Sequence, residues 1–291
     1  MKLLLSIDNS EHSQVAIEDV SHGLWPDGTE VMIATAVWSP FGFVNAKEHL
    51  PEAAHKLLAT AADIVRTNKY ISKVETQILQ GNPKSEIIEL LAAQHYDLLV
   101  MGSRRPSMQK ILFGSVSHAL LLGSPCSVRI ARRAIVREKR RVLVGFDGSE
   151  FCWRALSIVA GRHVPDGTEI FIVNAVPTVD ESAYDNPHVF SQEQLEQGRS
   201  RLMEIAQDGL AEAKAKLAAD LPHCKISTKI INGHPRKALI AACEDYDADI
   251  IFVGTQGRNF SALIAIGSVS EAVAVGAPCT VEIIKSVTTQ G

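Results

Sequence analysis

The chain has 291 residues, of which 46% are apolar and 21% are charged, and its formal net charge is -4. This length predicts two domains of ordinary size, and the composition is that of a globular protein. The acidic balance argues against a nucleic-acid-binding protein, because such domains carry a basic excess.

Apolar runs of strand length alternate with amphipathic stretches of helical length through the first half of the chain. This alternation predicts a parallel sheet covered by helices. A proline at a first helical turn loses no hydrogen bond, which favours a helix start at Pro83. The strands are predicted at Lys2–Ile7, Glu30–Val37, Val74–Gln80, Leu98–Met101 and Ser127–Ala131, and the helices near Ser10, at about Pro51–Asn68, at Pro83 and at Gly114.

The boundary between the halves is expected near Ala134 to Lys139, which gives domains at 1–135 and 139–291. The basic run from Arg132 to Arg141 is interpreted as a solvated linker, with a nucleic-acid patch as the alternative.

The second half repeats the same pattern. The segment from Ser191 to Gln194 resembles a capping box at the start of the long helix. Strands are predicted at Arg141–Phe146, Glu169–Val176, Ile226–Ile231, Ile250–Val253 and Thr280–Ile284, and helices near Ser149, at about Gln192–Ala219, at Pro235 and at Gly267.

Sequence identities between the halves indicate duplication of a whole domain. The segment Pro26-Asp27-Gly28-Thr29-Glu30 recurs 139 positions later as Pro165-Asp166-Gly167-Thr168-Glu169. Gly81 matches Gly233 at an offset of 152, so the second half carries 13 extra residues between Val176 and Gly233. A period of domain size excludes a short solenoid repeat.

The turns after the first and fourth strands of the second half form a candidate ligand site. Both turns lie at the carboxyl edge of the predicted sheet, where open parallel sheets bind ligands. Asp147 could accept hydrogen bonds from ribose hydroxyls or an adenine amino group, or it could only form an Asx turn and cap the next helix. Gly254, Gly257 and the helix start at Gly267-Ser268 suit a phosphate chain, although glycines that only permit tight turns are the alternative.

This glycine pattern resembles the universal stress protein family. The resemblance rests on Gly254-x-x-Gly257, nine residues and then Gly267-Ser268, with VLVGFDGSE in the first strand and its turn. It covers essentially the whole chain and implies two tandem open five-stranded parallel sheets of order 3-2-1-4-5, flanked by helices, with an adenine-nucleotide alpha-hydrolase-like fold. It also implies an ATP-binding subclass in which Asp147 and Ala175 face adenosine. Gly254, Gly257, Gly267 and Ser268 would then face the phosphates, with Val269 beside them.

The resemblance further implies an intramolecular pseudo-dimer of the two halves through their fifth strands. The sequence leaves open whether two whole chains form a homodimer.

The first half departs from the family pattern. Arg105 stands where the second glycine belongs, eight residues separate it from Gly114, and Asn9 follows Asp8 where the second half has glycine. Arg104, Arg105 and Lys110 are interpreted as a solvated basic loop, with phosphate contact through their side chains as the alternative. We expect one competent site, in the second half.

Three functions remain open on the sequence alone. The first is an ATP-binding stress-response protein, with or without Mg²⁺, whose nucleotide tunes its binding of an unknown protein partner. The second is a slow ATPase, in which Ser268 and His234 are the residues to test, and the third is a nucleotide-free scaffold. No Walker A lysine motif and no dinucleotide fingerprint occurs, so fast hydrolysis is not implied. The choice between ATP and AMP also stays open.

The remaining residues predict neither export nor a metal centre. The start MKLLLSIDNS is broken by Asp8 and resembles neither a signal peptide nor a membrane span, so a cytoplasmic protein is expected. The five cysteines form no C-x-x-C pair, and an odd number without an export signal favours reduced thiols. The histidines lack metal-ligand spacing, so no metal centre is expected. The segment from Asp180 to His188 is interpreted as a polar loop.

Overall fold

The computed structural model describes residues 1–38, 52–103, 114–133, 135, 137, 139–178, 191–257 and 266–285. The chain divides into two units. The first unit is Met1–Val136 with the C-terminal segment from Lys285, and the second unit is Arg137–Ile284.

The first unit is a parallel sheet of strand order β3-β2-β1-β4-β5, as the resemblance implied. Its strands are β1 (Lys2–Ser6), β2 (Thr29–Val37), β3 (Ile71–Gln80), β4 (Leu98–Gly102) and β5 (Ser127–Ala131). Its helices are α1 (Glu11–Ser21), α2 (Glu52–Val65), α3 (Pro83–Gln94) and α4 (Ser115–Gly123).

The second unit repeats this order as β8-β7-β6-β9-β10, again with all strands parallel. Its strands are β6 (Arg141–Gly145), β7 (Glu169–Val176), β8 (Lys225–Asn232), β9 (Ile250–Gly254) and β10 (Thr280–Ile284). Its described helices are α5 (Glu150–Ala160), α6 (Gln192–Asp220), α7 (Pro235–Asp245) and α8 (Ser268–Gly276). The predicted fold class is therefore confirmed, whereas the domain limits and the contact between fifth strands stay predictions.

Each unit buries an ion pair between its fifth strand and the region of its first helix. The strand carries the arginine in the first unit and the carboxylate in the second. In the first unit Arg129 of β5 binds Asp19 of α1 through two hydrogen bonds, Nε to Oδ2 at 2.6 Å and Nη2 to Oδ1 at 2.9 Å. In the second unit Glu282, at the matching position of β10, accepts from Arg162 just after α5. Buried charges require such pairing, because an isolated ion loses its hydration without compensation.

Two predicted boundaries differ from the structure by three residues, each for a physical reason. The prediction for β3 began at Val74, but the strand starts at Ile71, because the polar residues Ser72 and Lys73 on this edge strand hide its start from an apolar pattern. The prediction for α2 ended at Asn68, but the helix ends at Val65. The Asn68 side-chain amide donates to the carbonyls of Val20 and Gly23 and ties the turn to the end of α1.

The basic run between the halves is partly paired. Arg137 binds the carboxylate of Asp247, and Arg141 Nη1 lies 3.2 Å from the same carboxylate. The hydrogen bond to Asp247 raises the pKa of Arg137. These ion pairs therefore hold the run to the turn before β9, a contact that the prediction of a solvated linker did not include.

Candidate functional site

A pocket of about 340 Å³ lies within the second unit, at the carboxyl ends of β6, β7 and β9. This volume is in the range of small-molecule sites. The structure brings every sequence-predicted site residue to its lining: Asp147, Ala175, Gly254, Gly257, Gly267, Ser268 and Val269.

Asp147 forms the predicted Asx turn and still faces the pocket. Its Oδ1 accepts the backbone N–H of Ser149 at 2.9 Å, and Gly148 between them has a φ of +81°, a conformation that favours glycine. Among the described residues no hydrogen bond reaches the other oxygen, Oδ2. The two roles left open by the sequence are therefore compatible.

The pocket glycines are required for space rather than for an unusual backbone conformation. Gly254, Gly257 and Gly267 are not among the described residues with positive φ. A Cβ on Gly257 would lie 2.8 Å from Oδ2 of Asp147, so this glycine lets the turn approach the carboxylate closely.

Gly254 serves the packing of its unit. A Cβ there would lie 2.6 Å from Cβ of Phe151 at the start of α5, and one on the equivalent Gly102 would lie 1.9 Å from the carbonyl oxygen of His12. A Cβ that close to backbone or to a neighbouring Cβ cannot be accommodated without moving the first helix. Both units therefore require this glycine whether or not a ligand binds.

The start of α8 presents free backbone donors to the pocket. Gly267 is the N-cap and provides no side-chain cap, and helix geometry leaves the first-turn N–H groups of Ser268, Val269 and Ser270 without intrahelical partners. The N–H of Gly267 itself donates to the carbonyl of Thr255 at 2.6 Å. The first backbone N–H group available to an anion is therefore that of Ser268, one residue after Gly267.

Apolar side chains that the sequence analysis did not single out also line the pocket. Val173 and Val176 lie near Ala175 on β7, Leu239 comes from α7, and Leu202 comes from α6. The β7 residues could have been found as neighbours of Ala175, whereas Leu202 belongs to no motif. Ser149 also lines the pocket, and its buried hydroxyl has no hydrogen-bond partner among the described residues.

Comparison with known proteins identifies the family. A sequence model of the universal stress protein family matches residues 1–132 and again 139–285. The chain belongs to the universal stress protein family.

Relatives of the whole chain and of one domain agree with this assignment. A universal stress protein from Mycobacterium bovis is 26% identical over 221 residues, which cover 73% of this chain and 69% of that protein. A universal stress protein from Thermus aquaticus is 25% identical over 146 residues, covering 50% of this chain and 98% of that protein. The crystal structure of a universal stress protein from Archaeoglobus fulgidus is 25% identical, with a TM-score of 0.65, and covers 98% of both chains.

The two universal stress protein domains of this chain differ at the aspartate of the first turn. In the first unit the hydroxyl of Ser13 donates to Oδ1 of Asp8 at 2.6 Å, and Ser10 N–H donates to the same oxygen at 3.0 Å. Partial burial raises the pKa of Asp8, but these hydrogen bonds outweigh it and hold the pKa below its usual value.

Cys152 occupies the position of Ser13 in the second universal stress protein domain. Its Sγ donates to the carbonyl of Ser149 at 3.0 Å instead of binding the aspartate. Burial, and then the charge of Asp147, raise the pKa of Cys152 to about 11, so it stays a neutral thiol. Asp147 is thus less engaged within its own domain than Asp8.

Other residues considered from the sequence lie away from the pocket or outside the described residues. His234 is the N-cap of α7, where Nδ1 accepts from Arg236 N–H, and it is not among the pocket-lining residues. Arg104, Arg105, Lys110 and the segment from Asp180 to His188 lie outside the described residues. Within the described ranges no group of three His, Cys, Asp or Glu side chains could hold a metal ion, and no helix is long and apolar enough to cross a membrane.

Proposed function

We propose that the second domain of this universal stress protein binds an adenine nucleotide, with ATP as the first candidate, and that the bound nucleotide tunes the binding of a protein partner. The observation that supports the proposal is the convergence of a carboxylate, an uncapped helix start and apolar side chains in one pocket within one unit.

Each part of a nucleotide has a matching group in the pocket. The carboxylate of Asp147 can accept hydrogen bonds from the ribose hydroxyls or from the adenine amino group. The free N–H groups of Ser268 and Val269, together with the positive end of the α8 dipole, favour phosphate oxygens. The side chains of Val173 and Leu239 provide apolar surface for the base.

Asp147 is the only acidic side chain among the pocket-lining residues that the structure describes. Mg²⁺ is commonly held by one or two carboxylates together with substrate phosphates. A magnesium ion that enters with the nucleotide would therefore take most of its ligands from the phosphates and from water. The bound triphosphate supplies the negative charge that the α8 start stabilises.

We propose one nucleotide per chain. The first half has Arg105 in place of the second glycine and a shorter spacing to Gly114, and its Asp8 is hydrogen-bonded to Ser13 within its own domain. A side chain at the glycine position removes the space that allows backbone to approach a phosphate.

Titration calorimetry on the full chain tests this proposal with ATP and AMP as ligands. Wild type is expected to bind one nucleotide, and Gly257→Val is expected to weaken binding by about a hundredfold or more. Loss of two charge-assisted hydrogen bonds at roughly 1.5–3 kcal/mol each has this effect. Gly257 is preferred to Gly267 for this change. A Cβ on Gly257 would lie 2.8 Å from the end of the Asp147 side chain, which can turn away, whereas a Cβ on Gly267 would lie 3.0 Å from the backbone carbonyl oxygen of Thr255, which cannot.

Gly114→Val, at the counterpart of Gly267, is the control in the first half. Among the described residues a Cβ there would meet only the Ser117 hydroxyl, at 3.6 Å, so folding and stoichiometry are both expected to stay unchanged. Two nucleotides per wild-type chain would contradict the asymmetric proposal. Absence of binding, with no nucleotide found by mass spectrometry after denaturing the purified protein, would favour the scaffold function instead.

A further inference from the structure

Helix α6 is longer at its start than the described part of α2, the corresponding helix of the first unit. The buried residues Leu58 of α2 and Leu210 of α6 are 152 positions apart, the same offset as Gly81 and Gly233. This alignment places the first residue of α2, Glu52, opposite Glu204, whereas α6 starts at Gln192. The 13 extra residues of the second half lie between Val176 and Leu210. Residues 192–203, the part of α6 before Glu204, are here called the α6 extension.

The α6 extension is fixed at its start and along its length. Ser191 and Gln194 form a capping box, with the Ser191 N–H donating to Gln194 Oε1 at 2.9 Å and the Gln194 N–H donating to Ser191 Oγ at 3.2 Å. Farther along, Arg199 Nη2 donates to Oδ1 of Asn232, the last residue of β8, at 3.1 Å. After the extension, buried Ala206 and Leu210 hold the helix on the sheet. The extension is therefore capped at its start and bonded to the end of β8.

The α6 extension places one apolar side chain at the pocket. Leu202 lines the pocket, yet 46% of its surface is exposed. Ile205, one turn farther along the same helix, is 38% exposed and is not among the lining residues. An apolar side chain at a pocket gains burial when a ligand with an apolar face enters, and a leucine offers no hydrogen bond to a phosphate.

We propose that Leu202 is a nucleotide-binding contact that packs against the base of the bound nucleotide. This inference rests on the proposed function, because it assigns the base to the apolar end of the same pocket. The phosphates then lie toward the uncapped start of α8, where the free N–H groups are. The α6 extension thus supplies the second half with a base contact.

The test compares full-length wild type with Leu202→Ala, and Ile205→Ala is the matched control on the same helix. Affinities for ATP and for adenosine are measured by calorimetry. Leu202→Ala is expected to weaken both ligands by the same factor, about tenfold, because the apolar area removed touches the base that both share. Ile205→Ala is expected to stay within about twofold of wild type, and Leu202→Met, which keeps the apolar contact, is expected to restore most of the affinity.

The outcomes separate this inference from the function on which it rests. Unchanged binding by Leu202→Ala, or a loss confined to ATP, would overturn the base contact and leave nucleotide binding in place. An equal loss in Ile205→Ala would assign the effect to the helix and not to the contact, which also overturns the inference. Failure of wild type to bind either ligand would overturn both proposals. The melting temperature of each variant, measured without ligand, is expected to match wild type because both side chains are exposed.

Discussion

At the scale of single residues, the two halves carry the same aspartate in different hydrogen-bonding environments. Asp8 receives the Ser13 hydroxyl at Oδ1, while Cys152 at the matching position directs its thiol to a backbone carbonyl and leaves Asp147 with the Ser149 N–H. A hydroxyl is a strong donor and a thiol is a weak one. One serine-to-cysteine difference therefore leaves Asp147 more of its acceptor capacity for a ligand.

Asp147→Asn is expected to weaken ATP and adenosine binding by about tenfold, because the variant loses a charge-assisted hydrogen bond to the nucleoside. Asparagine keeps an oxygen for the Asx turn, so the fold is expected to stay intact, which circular dichroism would check. Binding at wild-type strength would show that Asp147 only serves the turn.

Asp8→Asn is the matched change in the first half, and it is expected to alter stability without altering nucleotide binding. The folded-state pKa of Asp8 lies below the ordinary value of 3.8, so its ionised form stabilises the fold at neutral pH. This contribution is expected to disappear as the pH falls below about 3.8 toward the lower folded pKa. Denaturant unfolding of wild type and variant at pH 7 and at pH 3 would therefore show a difference that shrinks in acid.

At the scale of elements, the fifth strand of each unit depends on a buried ion pair. Asp19→Asn is expected to destabilise the first unit by about 3 kcal/mol, because it leaves the Arg129 charge buried with reduced compensation. The double change Asp19→Leu with Arg129→Met should cost less than the single change, since it removes both charges. Urea unfolding measures both values, and a single-mutant loss below about 0.5 kcal/mol would contradict this assignment.

Most elements could be predicted from the apolar pattern, and the misses have local causes. Strand-length apolar runs located β4 and β9, which are buried along almost their whole length. The start of edge strand β3 and the end of α2 could not be predicted, because they depend on pairing with β2 and on the Asn68 contacts with the end of α1. The ion pair of Arg137 with Asp247 joins positions far apart in sequence and has no local signature.

The sequence predicted the site residues whose positions depend on main-chain geometry. It did not predict the side chains that other elements contribute to the site. Glycine spacing and strand ends placed Asp147, Gly257 and Ser268 at one edge, and the structure brings them to one pocket. Leu202 could not be predicted, because its position depends on how α6 packs across the sheet.

At the scale of the whole molecule, we expect nucleotide to stabilise the two units unequally. Hydrogen exchange followed by mass spectrometry should show increased protection in β6, β9 and α8 when ATP is present at about a hundred times its dissociation constant. At that concentration a ligand that binds only the folded state stabilises it by about 2.7 kcal/mol. Peptides from β1, β4 and α4 should exchange as they do without ATP. Equal protection in both sets would show that the units open together or that both bind ligand.

The glycines that the helix packing requires affect how such motifs should be scored in sequence searches. Gly102 and Gly254 are both retained after the duplication because each one accommodates the neighbouring first helix, so their presence says nothing about ligand binding. Gly257 has arginine as its counterpart, so the fold of the first half is compatible with its loss. Within one gene, the duplicated copy acts as an internal control that separates architectural constraint from functional constraint. A search that weights these glycines equally does not distinguish the two halves, whereas a search that weights the Gly257 position most heavily does.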